Sequence, residues 1–172
     1  MGKMILQRVM LALTFGFLNV YSLYAQAPVN DDPAAAITLS VTPTCTYSQY
    51  TTLNATSTPG MPTPTCGGTY MGGDVWFKFV APPAGNVDIN TNVGVITDGV
   101  MALYSYSAGT YTQLACDDDG GSNGFMPFIS RTGLVAGTTY YIRFWEYGND
   151  NNGTFSICVA ASSTCSNGNP SR

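Results

Sequence analysis

The chain has 172 residues, of which only 9% are charged, with no histidine and a formal charge of −4. A lightly charged, acidic surface gives a phosphate backbone nothing to hold, which argues against nucleic acid as a partner. The lack of histidine removes Ser-His-Asp and Cys-His chemistry.

Residues 1–27 read as an export signal. Lys3 and Arg8 form a positive n-region, Val9 to Leu23 is apolar, and Ala25-Gln26-Ala27 offers small residues for cleavage. Cutting after Ala27 leaves Pro28 at the new N-terminus, which signal peptidases handle poorly, so cutting after Ala25 is the alternative. No later segment approaches a membrane span. The mature protein is therefore expected to be secreted or held at the cell surface. Without the leader, four Lys and Arg stand against ten Asp and Glu, and the formal charge is −6. About 145 residues remain, enough for one domain around one core.

That domain is expected at 28–160, followed by a polar linker or tail at 161–172. The chain is expected to be a fragment, or a short product, of a larger modular protein. Short β-rich runs recur between Gly, Pro, Asn and Asp, with no helical repeat. Strands are predicted at Ala36–Val41, Asp74–Ala81, Asn86–Thr91, Val100–Tyr106, Thr110–Ala115, Met126–Arg131, Thr139–Tyr147 and Thr154–Ala160. One more falls near Tyr50–Asn54, inside a Thr/Pro/Gly-rich excursion at 43–73. This spacing predicts an all-β fold: a two-sheet antiparallel sandwich, jelly-roll-like.

Two strands show their faces. Val75, Phe77 and Phe79 alternate with Asp74, Trp76 and Lys78, and Tyr140, Ile142 and Phe144 form the apolar side of a second strand. Tyr141, Arg143, Trp145 and Tyr147 share the opposite side, read as solvent-facing. Such a strip either stacks on a ligand such as a sugar ring or a partner chain, or packs across strands to stabilise the sheet.

Five cysteines in an oxidising compartment predict disulfides, with one left over. Cys45 and Cys66 bracket the excursion and are the first choice for a bridge. Cys116, Cys158 and Cys165 are harder to pair. Cys158 sits in an apolar strand and is either a small buried hydrophobe or linked to Cys165 by a folded-back tail. Zinc fits poorly, for lack of a Cys-x-x-Cys pair or any histidine.

The run Cys116-Asp117-Asp118-Asp119-Gly120-Gly121 sets three carboxylates side by side on a glycine-rich loop. Their repulsion is costly unless water, salt or a cation offsets it. Oxygen ligands on a flexible loop suit Ca²⁺, which takes roughly six to eight of them. A second loop, Gly148 to Gly153, has similar chemistry. The alternative reading of both is a solvated hairpin turn. An EF-hand is rejected, since its terminal glutamate and flanking helices are missing.

Five stretches in order carry a resemblance: Asn30-Asp31-Asp32-Pro33, Gly73-Asp74-Val75-Trp76-Phe77, Met101-Ala102-Leu103-Tyr104-Ser105, Cys116-Asp117-Asp118-Asp119 and Gly153-Thr154-Phe155-Ser156-Ile157. Together they resemble the bacterial pre-peptidase C-terminal domain and its relatives in secreted, type IX-exported multidomain proteins. The resemblance implies a jelly-roll sandwich without catalysis of its own. It also implies calcium at the positions matching Asn30, Asp31, Asp32 and Asp74. Ala34 and Ser107-Ala108-Gly109 stand where such modules carry cysteines, so the usual partners of Cys158 and Cys116 are absent. Those thiols are then free or paired elsewhere.

The expected function is a non-enzymatic, calcium-stabilised module for adhesion or surface binding, carbohydrate included. Its expected partners are an extracellular polymer or cell-surface ligand and neighbouring domains. The alternative is a structural or processing domain that helps a neighbouring secreted peptidase or other enzyme fold and be exported. The sole glutamate, Glu146, reads as exposed beside an Asn/Asp loop, a poor setting for a general acid.

Overall fold

A computed structural model describes residues 25–162. Most of the expected leader, the tail beyond residue 162 and Cys165 lie outside the described residues. After a short 3-10 turn (Pro33–Ala35) come ten strands: β1 (Ile37–Thr38), β2 (Val41–Thr42), β3 (Ser48–Thr51), β4 (Asp74–Val80), β5 (Val87–Asn92), β6 (Gly99–Ser107), β7 (Thr110–Asp117), β8 (Phe128–Arg131), β9 (Thr139–Glu146) and β10 (Thr154–Ala161). Among the described residues no helix is long and apolar enough to cross a membrane.

Sheet A has the order β1-β4-β9-β6-β7, and sheet B has β2-β10-β5-β8 with β3 also on β10. The expected two-sheet sandwich is the observed one, with a correction to its pairing. β1 runs parallel to β4 and β2 parallel to β10, so both sheets are mixed rather than antiparallel throughout. The cause is that the predicted strand Ala36–Val41 divides. Leu39 still donates its N–H to Lys78 on sheet A, and two residues later the chain joins sheet B. One short segment thus closes one side of the sandwich and supplies an edge strand to each sheet.

The core fills the gap between the sheets. Val75, Phe77 and Phe79 of β4 and Tyr140, Ile142 and Phe144 of β9 face Ile89, Phe155, Ile157 and Val159 of sheet B, as alternation predicts. Phe144 stacks on Phe155 across the gap at 3.8 Å. Such an aromatic pair contributes about 0.5–1.5 kcal/mol beyond its buried area.

A second cluster lies on the outer face of sheet A, where Trp76, Val100, Ala102, Tyr104 and Trp145 are buried. The excursion accounts for it: Met61, Cys66 and Tyr70 pack on that face, so residues 56–73 form a covering segment. Pro59, Pro62 and Pro64 carry no N–H, so an irregular strand of chain can lie on a sheet with fewer donors to satisfy. At Gly67 the backbone touches down with φ +70°, and a Cβ there would lie 2.6 Å from the Val100 side chain. Only glycine meets both demands.

The disulfides also correct the expected pairing. Cys45 bonds to Cys158 and Cys66 to Cys116, with no Cys45–Cys66 bridge. Cys45 lies between β2 and β3, which both run beside β10, and this brings its Cα within 5.5 Å of Cys158. The excursion then crosses to the outer face of sheet A and sets Cys66 against β7, with Cα atoms 5.7 Å apart. The two cysteines bracket the excursion but are held by opposite sheets.

Candidate functional site: carboxylates at one strand end

Asp74 opens β4, Asp98 precedes β6, Asp117 closes β7 and Glu146 closes β9, so register brings all four to one end of sheet A. They nevertheless form separate groups.

Asp74 is wholly buried and accepts four hydrogen bonds. Thr58 N–H (2.9 Å) and Tyr70 O–H (2.9 Å) reach Oδ1; Trp76 Nε1–H (3.0 Å) and Arg143 Nε–H (2.5 Å) reach Oδ2. The Arg143 guanidinium lies over the Tyr70 ring at 4.1 Å, a cation–π contact. Burial disfavours the Arg143 charge, but Asp74 outweighs it and holds the guanidinium above its ordinary value. Burial, then the Asp74 charge, pushes Tyr70 up to about 12.

The other residues of the expected N-terminal calcium set are engaged as well. Asp31 accepts from Thr56 N–H and Oγ1–H, both at 2.6 Å, and Asp32 caps the 3-10 turn through Ala34 N–H at 2.7 Å. Asn30 pairs with Trp76 in both directions, Nδ2–H to its carbonyl at 2.9 Å and its own carbonyl to Trp76 N–H at 2.8 Å. These side chains tie the N-terminal segment and the covering segment to β4. Both oxygens of Asp31 and of Asp74, and Oδ1 of Asp32, thus accept from protein donors.

The glycine-rich loop divides too. Asp117 Oδ2 accepts from Gly120 N–H and Phe128 N–H, each at 2.8 Å, which makes it a turn-holding residue. Asp118 and Asp119 instead meet Asp98, one oxygen from each lying within 4.8 Å of the others. Asp98 Oδ1 and Asp118 Oδ1 are shielded from solvent and have no hydrogen-bond partner. Burial, then Asp119, Asp98 and Asp117, raises Asp118 to about 6. Asp98 is raised by burial and then by Asp119 and Glu146. Three converging carboxylates, two with a sheltered and unpaired oxygen and the exposed Asp119 beside them, have the donor chemistry that a hard divalent cation accepts.

Sequence reasoning missed Asp98. Its signal was the Asp98-Gly99 pair directly before a strand, which looks like ordinary turn chemistry. Glu146 corrects another expectation: it is buried and accepts from Asp150 N–H at 2.9 Å, holding the turn after β9.

The aromatic strip needs the largest correction. Arg143 and Trp145 are each 1% exposed beneath the covering segment, Tyr141 is half-buried, and Tyr147 alone is largely open. Trp145 packs edge-on to Tyr70 at 5.7 Å. At the end away from Tyr147, toward the β6–β7 hairpin, Tyr106, Tyr111 and Tyr141 cluster with ring centroids 4.6–5.9 Å apart.

A disulfide-tied, two-sheet sandwich with a covered outer face and a carboxylate group at one strand end is the architecture of a binding-type module. The model of the type IX secretion system-associated, galactose-binding-domain-like family matches residues 29–158, and the chain belongs to that family. Family and disulfides together are those of an exported protein. No curated protein sequence matches the chain.

Solved structures of similar form include the pre-peptidase C-terminal domain of Bacillus anthracis collagenase, at 15% identity, 72% of this chain and 93% of that one, TM-score 0.44. The Yersinia pseudotuberculosis-derived mitogen aligns at 10% identity over 73% and 93%, TM-score 0.42. Aeromonas hydrophila PliG, a periplasmic inhibitor of g-type lysozyme, aligns at 9% over 72% and 96%, TM-score 0.39. These likenesses are too distant to transfer any function.

Proposed function

We propose that this protein is an exported, non-catalytic module that binds Ca²⁺ at Asp98, Asp118 and Asp119 and serves attachment to an extracellular polymer or cell-surface ligand. The leader at 1–27 directs its export, and the mature form is secreted or surface-held. The observation that carries the metal is the convergence of three carboxylates, two of which, Asp98 and Asp118, keep a sheltered oxygen that no protein donor reaches. A cation there would offset the burial and the repulsion that raise Asp118 and would tie the loop after β7 to the loop before β6. Calcium then acts as a strut for the strand-end loops, with no reacting group required.

Thermal melts of the mature chain in millimolar calcium and in excess EDTA test the metal. A site at about 100 times its dissociation constant adds roughly 2.7 kcal/mol, a shift of several degrees. Asp118→Asn is expected to remove most of that shift. A folded chain with one melting temperature in both buffers would reduce the cluster to a solvated turn.

The burial of Trp145 and Arg143 favours a second reading, a structural accessory that helps a neighbouring domain fold and be exported. In that case Trp145→Ala lowers stability and shifts no ligand isotherm.

A further inference from the structure

We infer that the hollow on the outer face of sheet B, beside the loop after β7, binds a primary ammonium group, held by Asp88 together with Asn90 and Ser122. The hollow holds about 360 Å³ and is lined by Asp88, Asn90, Gly120, Ser122 and Phe128. Small-molecule pockets span roughly 300–1,000 Å³, so this one has room for a single alkylammonium stem.

Register builds the site. β5 pairs with β8 so that Asp88 stands opposite Ser130 and Asn90 opposite Phe128. Ile89 between them belongs to the core, so alternation turns Asp88 and Asn90 to the outer face. Asp117 fixes the other wall: its Oδ2 accepts from both Gly120 N–H and Phe128 N–H, two residues that line the hollow. Gly121 N–H donates to the Met126 carbonyl at 2.9 Å, and a Cβ there would lie 2.3 Å from that oxygen. The loop is thus pinned back against the residues that lead into β8.

Asp88 lacks a partner. Its Oδ1 is shielded from solvent without a hydrogen bond, and no basic side chain is in ion-pair range among the described residues. Lys78 and Arg143 belong to sheet A, and Arg131 stands opposite the core residue Val87, on the inward side of sheet B. The cross-strand neighbours of Asp88, Ser130 and Ala160, are uncharged. A carboxylate partly withdrawn from water gains most from a partner that brings both positive charge and donors.

Donor count selects the ligand. An ammonium carries three N–H donors and no acceptor. Asp88, Asn90 and Ser122 supply one oxygen-bearing side chain for each, and the Phe128 ring adds apolar surface for the methylene stem. An anion would meet Asp88 and a mature chain of charge −6, and a neutral polyol would leave the carboxylate charge unpaired. The inference deepens the attachment reading above by naming its ligand chemistry, and it does not depend on the calcium site.

The test is a titration of the ¹⁵N-labelled mature chain with Nα-acetyl-lysine amide, following the Asn90 side-chain amide and the Gly120 N–H, with calcium and again in EDTA. Both signals should shift saturably in either buffer. Nα-acetyl-norleucine amide, which keeps the stem and lacks the nitrogen, should bind at least about ten-fold more weakly. Asp88→Asn keeps the shape and removes the charge, and should weaken lysine binding by a similar factor with the melting temperature held. Ser122→Trp, from an exposed position, should block the hollow as well. Butylamine forms a second arm: tighter binding of the lysine probe assigns the hollow to a lysine side chain on a polypeptide, and equal binding assigns it to a free alkylamine. No saturable shift with the chain folded, norleucine binding as tight as lysine, or binding untouched by Asp88→Asn would each overturn the inference. A flat calcium melt with intact lysine binding removes the metal and leaves attachment. An intact calcium shift without lysine binding removes the hollow alone.

Discussion

Asp74 and Asp118 stand at the same end of sheet A, and their surroundings treat them in opposite ways. Asp74 is the more deeply buried, yet four donors converge on it, two of them from the covering segment. Asp118 is less buried but faces Asp98 and Asp119, and no cation side chain is within ion-pair range among the described residues. The contrast teaches that burial depth does not decide whether a carboxylate is available to a metal. What decides it is whether the chain has supplied donors. The covering segment uses up Asp74, while the loop after β7 leaves Asp118 oxygen to spare.

The sharpest way to break the comparison is Asp74→Ala. It strands the Arg143 charge in the sheet face, and breaking such a pair costs about 3–5 kcal/mol; urea unfolding should show the loss equally in calcium and in EDTA. Asp118→Asn in EDTA should leave stability unchanged or raise it, because it removes a repelled charge. If the two substitutions cost the same in EDTA, the contrast fails. Next in size is the Cys66–Cys116 bridge, which holds the donor-bearing cover to β7. Replacing both cysteines by serine should cost about 2–4 kcal/mol, given the long loop it closes. It should also raise hydrogen exchange at Thr58 N–H, while leaving the calcium shift in place. A calcium shift lost with this bridge would mean that the two carboxylate regions are one unit.

Much of the fold was legible because strand alternation and turn residues are local signals. Val75, Phe77, Phe79, Ile142 and Phe144 were read onto the face they occupy. Alternation separates two faces but does not say what covers the second. Arg143 and Trp145 read as solvent-facing in the sequence because the segment over them has no periodicity of its own. The cysteine pairing failed for the same reason, since the excursion changes sheets between Cys45 and Cys66. For the carboxylates, the run at 117–119 was visible as an acidic loop. Asp98 joins it only through the β6–β7 pairing, at a sequence distance that no local motif spans.

The smallest effect lies in the hydroxyl that helps to satisfy Asp74. Tyr70 O–H donates to Asp74 Oδ1, and a hydrogen bond to a charged group contributes about 1.5–3 kcal/mol, with partial exposure favouring the low end. Tyr70→Phe should show that loss at neutral pH. The folded state holds the neutral phenol, raised from 10.0 to about 12 chiefly by burial and then by the Asp74 charge. A raised tyrosine binds its proton more tightly when folded, so its contribution is complete below pH 10 and declines as pH rises toward about 12. Denaturant melts of both proteins across that window should therefore converge, with the wild type losing stability faster. Tyr111, also raised to about 12, keeps some slope in the variant, so the difference between the two curves is the quantity to read. A gap that stays constant through the window would mean that the Tyr70 hydroxyl does not keep its proton for Asp74. The donor set that distinguishes Asp74 from Asp118 would then rest on Thr58, Trp76 and Arg143 alone.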